Sequence, residues 1–229
     1  MKKKILLIGN NDGLPGVKID LANYKKYFKS NTGGQWNDDE IIELLNPKKD
    51  DLIARIDGLK KQNLDYVIVV FSGHGGMKRN TILELNPDGE LFSESRFENI
   101  STRQVTILDC CRAYMQNLSE SLEEVRLIKS FSAYVGTRAR FEKRISESLP
   151  QQIKIYSCAE GEYSHDTPKG GAYSKNLIET AYTDDSEFIY FGRTHVVASE
   201  KTTKEFKDQH PEIIQPKFLT TQQLILGIN

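Results

Sequence analysis

The stretch that decides the fold is Val67-Ile68-Val69-Val70-Phe71-Ser72-Gly73-His74-Gly75-Gly76, in which an apolar run ends in a histidine flanked by glycines. A second run, Val105-Thr106-Ile107-Leu108, ends in Asp109-Cys110-Cys111-Arg112. Short apolar runs rich in β-branched residues and bounded by turn signals are typical of buried strands in a parallel sheet. Ligands bind outside the carboxyl ends of such strands. We therefore expect His74 and a cysteine to meet at one site.

A thiol beside an imidazole is a strong nucleophile at neutral pH, so this pairing favours a cysteine hydrolase. Strand alternation places the side chains of Cys110 and Cys111 on opposite sides of the chain. One thiol can therefore pack in the interior while the other faces the cleft. A backbone N–H at Gly75 or Gly76, together with the N–H of the nucleophile, would form an oxyanion hole.

The composition indicates a globular protein that needs neither a membrane nor nucleic acid. The chain has 229 residues, 38% hydrophobic and 28% charged, with a net charge of -1. No apolar run approaches the roughly 20 residues that span a bilayer. The three cysteines, two of them adjacent, make a disulfide framework implausible. We expect a cytoplasmic protein with reduced thiols.

Strands alternate with helices along the chain, which predicts one α/β domain over 1–229 with a doubly wound, mostly parallel sheet flanked by helices. The predicted strands are 5–8, 41–45, 66–71, 104–108, 153–156 and a short 188–191. The predicted helices are 19–28, 50–61 and 172–182. A hairpin is expected over 81–85 and 91–92, turning at 86–89.

The segment 112–152 separates the nucleophile from the next predicted core strand, and we expect it to be a lid or activation insertion. It contains a cluster of basic residues, which an enzyme selective for basic residues would itself recognise. These candidate self-cleavage positions are Arg138, Arg140, Lys143 and Arg144. The alternative is the solvated face of an amphipathic helix, with Val135, Ala139 and Ile145 packing inward.

Several motifs, in order along the chain, resemble those of the caspase-like cysteine peptidases of the C14 type. The segment 70–75 resembles their histidine motif, and 108–111 resembles the Asp-x-Cys motif of the metacaspase branch. The further similar segments are Leu14-Pro15-Gly16-Val17-Lys18-Ile19-Asp20, Ile155-Tyr156-Ser157-Cys158-Ala159 with Glu162 and Ser164, Gly170-Gly171-Ala172-Tyr173-Ser174 and, more weakly, Gln209-His210-Pro211-Glu212. The resemblance implies a caspase-hemoglobinase-like sheet, of the kind found in prokaryotic stand-alone domains.

Carried over to this sequence, the resemblance makes Cys111 the nucleophile and His74 the general base, without a third acid. Gly75 and Cys111 would supply the oxyanion-hole N–H groups. Asp20 and Asp109 match the carboxylates of the metacaspase S1 pocket, to which Ser157 is added. Paired carboxylates select Lys or Arg through charge-assisted hydrogen bonds. A caspase proper prefers Asp, and its Gln-Ala-Cys-Arg-Gly signature is absent here.

Other polar residues have simpler explanations. His165, close to Glu162 and Asp166, has no metal-ligand spacing around it, so we expect a solvated loop. Some metacaspases need Ca²⁺, but Asp184 and Asp185 are ordinary turn composition, and we expect no cofactor or metal. We also expect Cys158 to pack in the interior, and His195 and His210 to lie on the surface. The segment 112–114, Arg-Ala-Tyr, departs from the frequent His-Ser-Gly of the family.

These motifs favour a regulated cysteine endopeptidase that cuts proteins or peptides after Arg or Lys. By analogy, microbial relatives act in cell suicide or antiphage defence. Two alternatives remain: a catalytically silent binding or scaffold module on the same fold, and another α/β enzyme such as a cysteine-dependent acyltransferase. The latter would not explain Asp20 together with Asp109. We expect an activating partner or small-molecule signal.

Overall fold

The computed structural model describes residues 1–114 and 136–229. Its helices are α1 (Gly16–Lys29), α2 (Lys49–Lys60), α3 (Thr137–Glu147), α4 (Ala172–Thr183) and α5 (Phe191–Glu205). Its strands are β1 (Lys3–Gly9), β2 (Ile41–Leu45), β3 (Tyr66–Ser72), β4 (Gly75–Met77), β5 (Thr81–Glu84), β6 (Leu91–Ser93), β7 (Arg103–Asp109), β8 (Gln151–Tyr156), β9 (Asp166–Thr167), β10 (Gly170–Gly171), β11 (Phe188–Tyr190), β12 (Glu212–Ile214) and β13 (Ile225–Ile228).

A six-stranded sheet in the order β12-β8-β7-β3-β1-β2 forms the centre of the fold. Its strands run parallel except β12, which pairs antiparallel with β8 at one edge. Strand β3 lies between β1 and β7, which explains why its seven residues are all buried. The predicted α/β fold with a mostly parallel sheet is therefore confirmed.

Alternate residues of the central strands pack into two separate cores, one on each face of the sheet. Ile68 and Val70 of β3 join the core formed with α1, α3, α4 and α5. Val67, Val69 and Phe71 join the core on the opposite face, which α2 and the β5–β6 hairpin cover. This two-residue period follows from the pleat of a strand and fixes which side chains reach each face at the strand ends.

The described part of the expected lid segment belongs to the packed domain. Residues 137–152 form α3, whose Phe141 and Ile145 are fully buried, and the beginning of β8. This stretch therefore corresponds to the amphipathic-helix alternative rather than to a lid. Ile145 packs inward as expected, whereas Ala139, also expected to pack inward, is exposed. Residues 115–135, including Val135, lie outside the described residues.

The structure has elements that the sequence analysis did not predict, chiefly α5, β12 and β13. Strand β13 pairs antiparallel with β11. Within the described ranges, no helix is long and apolar enough to cross a membrane.

Candidate active site

The two predicted catalytic residues follow the carboxyl ends of two neighbouring strands, on the same side of the fold. Strands β3 and β7 are parallel, with Ser72 opposite Asp109 in their register. His74 and Cys111 each follow two residues later, beyond the carboxyl ends of the strands. The backbone continues the pairing past the strands, since Gly73 N–H donates to the Asp109 carbonyl at 3.1 Å. The imidazole of His74 and the thiol of Cys111 therefore both lie just beyond the carboxyl ends of two adjacent strands.

Strand alternation distinguishes the two adjacent thiols. Cys110 is 2% exposed and packs in the core on the α2 side. Its Sγ lies so close to Gly75 that a Cβ at Gly75 would be 2.7 Å away. Cys111 is partly exposed, and its Sγ contacts the backbone of Ser164. Of the two adjacent thiols, Cys111 is therefore the more accessible.

A backbone carbonyl orients the imidazole of His74. Its Nε2 lies 2.6 Å from the carbonyl oxygen of Asp12, in the loop between β1 and α1. Because a carbonyl oxygen can only accept, Nε2 carries the hydrogen in this bond. The neutral imidazole then has its basic lone pair on Nδ1, which gives the tautomer of a general base. A backbone carbonyl has no side-chain signature, and the sequence analysis missed this contact.

The backbone N–H and carbonyl of Ser164 both lie close to the thiol of Cys111. Its N–H donates to Sγ at 3.4 Å, and its carbonyl lies 3.7 Å from Sγ. Gln209, itself fully buried, supports this segment through a 3.2 Å bond to the Ser164 hydroxyl. Burial raises the pKa of Cys111, with a contribution from the charge of Asp109, while the Ser164 contact lowers it. The net effect of these surroundings is a raised pKa, which favours the thiol form of Cys111 over the thiolate.

The two predicted pocket carboxylates lie close together behind the dyad, at the start of α4. Asp20 accepts from the Ser72 hydroxyl at 2.7 Å and from Gly171 N–H at 3.0 Å. Asp109 accepts from the Ser164 hydroxyl at 2.7 Å and from the backbone of Ser174. Burial and the neighbouring Asp109 raise the pKa of Asp20 well above its usual range. The structure thus places two carboxyl groups close together where solvation is poor, which disfavours the charged form of Asp20.

The absence of side chains at Gly170 and Gly171 leaves space for the carboxylates of Asp20 and Asp109. A Cβ at Gly171 would lie 2.4 Å from Asp109 Oδ2, and a Cβ at Gly170 would lie 2.3 Å from Asp20 Oδ1. Both glycines belong to the β9–β10 hairpin that precedes α4. The Gly-Gly motif of the sequence therefore allows the backbone of β10 to lie close to the two carboxylates.

Ser157 does not join this carboxylate pair. It is fully buried, and its hydroxyl contacts the backbone N and O of Cys110 at 3.2 and 3.3 Å. The serine that contacts a pocket carboxylate from the strand ends is Ser72, which the sequence analysis did not select for this role. Gly75, predicted for the oxyanion hole, begins β4 directly after His74.

Arg112, which departs from the family pattern, is a buried structural anchor. Its guanidinium is bonded to the Cys158 carbonyl at 3.1 Å, Glu212 at 2.6 Å and Glu160 at 3.2 Å. It also stacks over Tyr156, with 4.0 Å between the guanidinium carbon and the ring centroid. The residue after Cys111 therefore ties the end of β7 to β8 and β12 and holds the backbone next to Cys111 in place.

The four basic residues predicted as self-cleavage positions all lie in α3. Arg138 forms two bonds to Glu40, at 2.6 and 2.7 Å. Arg144 is 6% exposed and donates to Ser148 at 2.7 Å. Arg140 pairs with Glu187 at 3.0 Å, and the side chain of Lys143 is 76% exposed. The structure therefore does not bring these residues into the cleft, and their role in self-processing remains a prediction.

The remaining histidines divide into one buried and two surface groups. His195 is 5% exposed, with its Nδ1 bonded to the Tyr173 hydroxyl at 2.8 Å, so its prediction as a surface residue was wrong. His165 pairs with Asp208 and His210 with Glu162 at the protein surface. Cys158 is fully buried, as expected. Across 1–114 and 136–229, no cluster of His, Cys, Asp or Glu fits a metal ion.

Comparisons with known proteins agree with this architecture. The model of the caspase domain family, peptidase C14, matches residues 2–217. Among solved structures, caspase-1 of Spodoptera frugiperda is similar, with a TM-score of 0.66 and 13% sequence identity. The alignment covers 99% of this chain and 89% of the insect protein. No curated protein sequence gives a significant match. At this identity, the structural likeness shows the fold alone.

Proposed function

Because the chain belongs to the caspase domain family of C14 peptidases, we propose that it is a cysteine endopeptidase that cuts its substrates after Arg or Lys. The observation that supports this most is the position of His74 and Cys111 beyond two adjacent strand ends, with Asp20 and Asp109 immediately behind them. A thiol and an imidazole supply covalent catalysis. The two carboxylates would bind a basic substrate side chain through charge-assisted hydrogen bonds.

In the proposed mechanism, Nδ1 of His74 removes the proton from Cys111 Sγ, and the thiolate attacks the scissile carbonyl carbon. The N–H groups of Gly75 and Cys111 stabilise the oxyanion that forms. The carbon–nitrogen bond then breaks, and the imidazolium returns its proton to the leaving amine. Water, deprotonated by His74, hydrolyses the thioester and regenerates the thiol. The Asp12 carbonyl holds the imidazole in the required tautomer throughout.

The proposed S1 pocket takes the basic side chain over Asp20 and Asp109. Ser72 and the start of α4 hold both carboxylates in place before a substrate arrives, so little reorganisation is needed on binding. Ser157 contributes indirectly, through its contacts with the Cys110 backbone. The chemistry of a thiol and an imidazole is complete without a metal or cofactor, and we propose that none is required.

One observation favours a second candidate, a catalytically silent scaffold module. Burial raises the pKa of Cys111, and Ser164 occupies the space around Sγ. A protein held in this arrangement would form less thiolate than a free cysteine does. We propose instead that an activating partner or small-molecule signal displaces the Ser164 segment in a regulated effector protease of the cytoplasm.

A panel of fluorogenic peptides that end in Arg, Lys, Asp or Ala tests this function. Wild-type protein is expected to cleave the Arg and Lys peptides, with and without EDTA, while Cys111→Ala cleaves none. Cleavage after Asp but not after Arg would exclude the proposed pocket. The silent module predicts no cleavage of any peptide, even with cell extract added as a source of activator.

A further inference from the structure

Asp166 lies opposite Gly171, whose N–H donates to Asp20, and was not selected by the sequence analysis for substrate binding. It begins β9, two residues after Ser164, whose backbone contacts Cys111 Sγ. Its Oδ2 accepts the N–H of Gly16 at the start of α1, at 3.0 Å. Burial and the charge of Asp109 raise the pKa of Asp166, while the charge of His74 lowers it. Asp166 is therefore near both the general base and the pocket.

The three carboxylates differ in their accessibility. Asp20 and Asp109 are 1% and 5% exposed. Each of their four oxygens already accepts a hydrogen bond from the protein. Asp166 is partly exposed. A cation that approaches from solvent therefore meets Asp166 before it reaches the two inner carboxylates.

Within residues 1–114 and 136–229, the three carboxyl groups have no basic partner. Among the described residues, no lysine, arginine or histidine forms an ion pair with Asp20, Asp109 or Asp166. Two buried cations elsewhere in the described residues do have carboxylate partners: Arg112 pairs with Glu212, and Lys3 pairs with Glu142. Partly desolvated carboxylates without a counter-charge favour binding of a cation.

From this arrangement we infer that Asp166 is a third specificity-determining residue, which contacts the guanidinium or ammonium of the substrate directly. Asp20 and Asp109 then act mainly as the negatively charged base of the pocket. The inference rests on the proposed function and extends it. It also explains the position of Gly16, where a Cβ would lie 1.8 Å from Asp166 Oδ1. This glycine lets the outer carboxylate approach the helix N-terminus.

Replacement of Asp166 by Asn tests the inference, because Asn keeps the shape and an acceptor for Gly16 N–H but removes the charge. The matched control is Asp185→Asn, which removes the same charge from an exposed residue beyond the far end of α4. We expect kcat/KM for an Arg-terminated peptide to fall at least tenfold in Asp166→Asn, mainly through KM. Asp185→Asn should stay within twofold of wild type.

A structural role of Asp166 would produce a different result. Loss of the Gly16 contact alone would lower the melting temperature and kcat and leave KM unchanged, which would overturn the inference. Wild-type KM in Asp166→Asn would overturn it as well.

Binding measured without cleavage separates this inference from the proposed function. Calorimetry compares an Arg-terminated peptide amide binding to Cys111→Ala and to Cys111→Ala/Asp166→Asn. At least tenfold weaker binding to the double variant supports the inference even if the wild type cleaves nothing, a result that would overturn the peptidase proposal alone. Equal binding to both variants, or binding to neither, overturns the inference.

Discussion

Ser164 is bonded both to Cys111 and, through its hydroxyl, to Asp109. The backbone N–H of Ser164 is 3.4 Å from Cys111 Sγ, and its Oγ is 2.7 Å from Asp109 Oδ1. In the proposed mechanism a substrate uses both of these groups. The proposal therefore requires Ser164 to move, or its contacts to be exchanged for contacts with substrate.

The first prediction concerns the reactivity of Cys111 toward iodoacetamide. Because burial raises its pKa, the thiolate fraction at pH 7.5 is smaller than that of a free cysteine, and alkylation should be slower. The rate should rise with pH beyond the range in which a free thiol saturates. Mass spectrometry measures the rate, with Cys111→Ala as the control for Cys110 and Cys158. Fast alkylation that is independent of pH near neutrality would indicate a preformed thiolate.

The second prediction separates the adjacent thiols. Cys111→Ala should abolish peptide cleavage and leave the fold intact, whereas Cys110→Ala should keep substantial activity. The buried Cys110 contributes packing, so its truncation should cost about 1–2 kcal/mol of unfolding free energy, which urea denaturation measures. His74→Ala should match Cys111→Ala, and the double variant should lose no more, because the pair acts as a unit. An active Cys111→Ala would contradict the assignment.

The third prediction concerns the inner carboxylates. Asp20→Asn and Asp109→Asn should each lower kcat/KM for Arg-terminated peptides well over tenfold, since removing one partner of a buried charge contact costs about 2–5 kcal/mol. The raised pKa of Asp20 means that it loses its charge at a higher pH than an ordinary aspartate. Activity should therefore fall as the pH is lowered, above the usual aspartate range. A pH profile of kcat/KM that is unchanged in Asp20→Asn would contradict this.

The fourth prediction concerns self-processing within α3. A peptidase cleft binds extended chain, and Arg138 and Arg144 are held in a helix by Glu40 and Ser148. Intact-mass analysis of active wild-type enzyme should therefore detect no fragment that ends at Arg138 or Arg144. If α3 is cut at all, the exposed Lys143 is the first site. The Cys111→Ala protein, incubated in parallel, identifies cleavage by contaminants. A fragment that ends at Arg144 would contradict the structural argument.

The fifth prediction concerns stability and pH. Burial lowers the pKa of His195 to about 4, compared with 6.5 for an unperturbed histidine. Between these values the unfolded chain binds the proton and the folded protein does not, so the free energy of unfolding decreases as the pH falls. The contribution is fully present above about pH 6.5, and up to about 3 kcal/mol is lost toward pH 4.

Urea denaturation at several pH values measures this effect. His195→Gln should flatten the dependence between pH 7 and 4, while the surface variant His210→Gln should leave it close to that of the wild type. An equal slope in wild type and His195→Gln would show that other groups cause the acid sensitivity.

The placement of the dyad could be predicted because it depends on local information. A strand has a period of two residues, so the position of Cys111 relative to Leu108 decides its face, and Cys110 necessarily takes the other. Because β3 and β7 are parallel and in register, His74 and Cys111 both lie at the carboxyl end of the sheet. The first step is local to β7, and the second follows from the alternation of strands and helices, which predicts parallel neighbouring strands.

Helix α5 could not be predicted, because polar side chains fill three of its five buried positions. Its buried residues follow helical spacing, but they are Phe191, Thr194, His195, Ala198 and Thr202. An apolar periodicity is therefore absent from the sequence, although the helix is packed. The Asp12 carbonyl and the position of Asp166 depend on loops far apart in sequence, which only the folded chain brings together.

The carboxylates of the cleft and the glycines that face them constrain one another's substitution. Each carboxylate fills the volume that a side chain at its facing glycine would need: Gly16 with Asp166, Gly170 with Asp20, and Gly171 with Asp109. Replacing one of the acids with a different side chain, to change which residues the cleft accepts, leaves a space that fits a carboxylate. Replacing a glycine with a larger residue forces the facing carboxylate to move. Redesign of selectivity in this scaffold therefore has to vary acid and glycine as pairs, and libraries that randomise single positions will sample mostly inactive proteins.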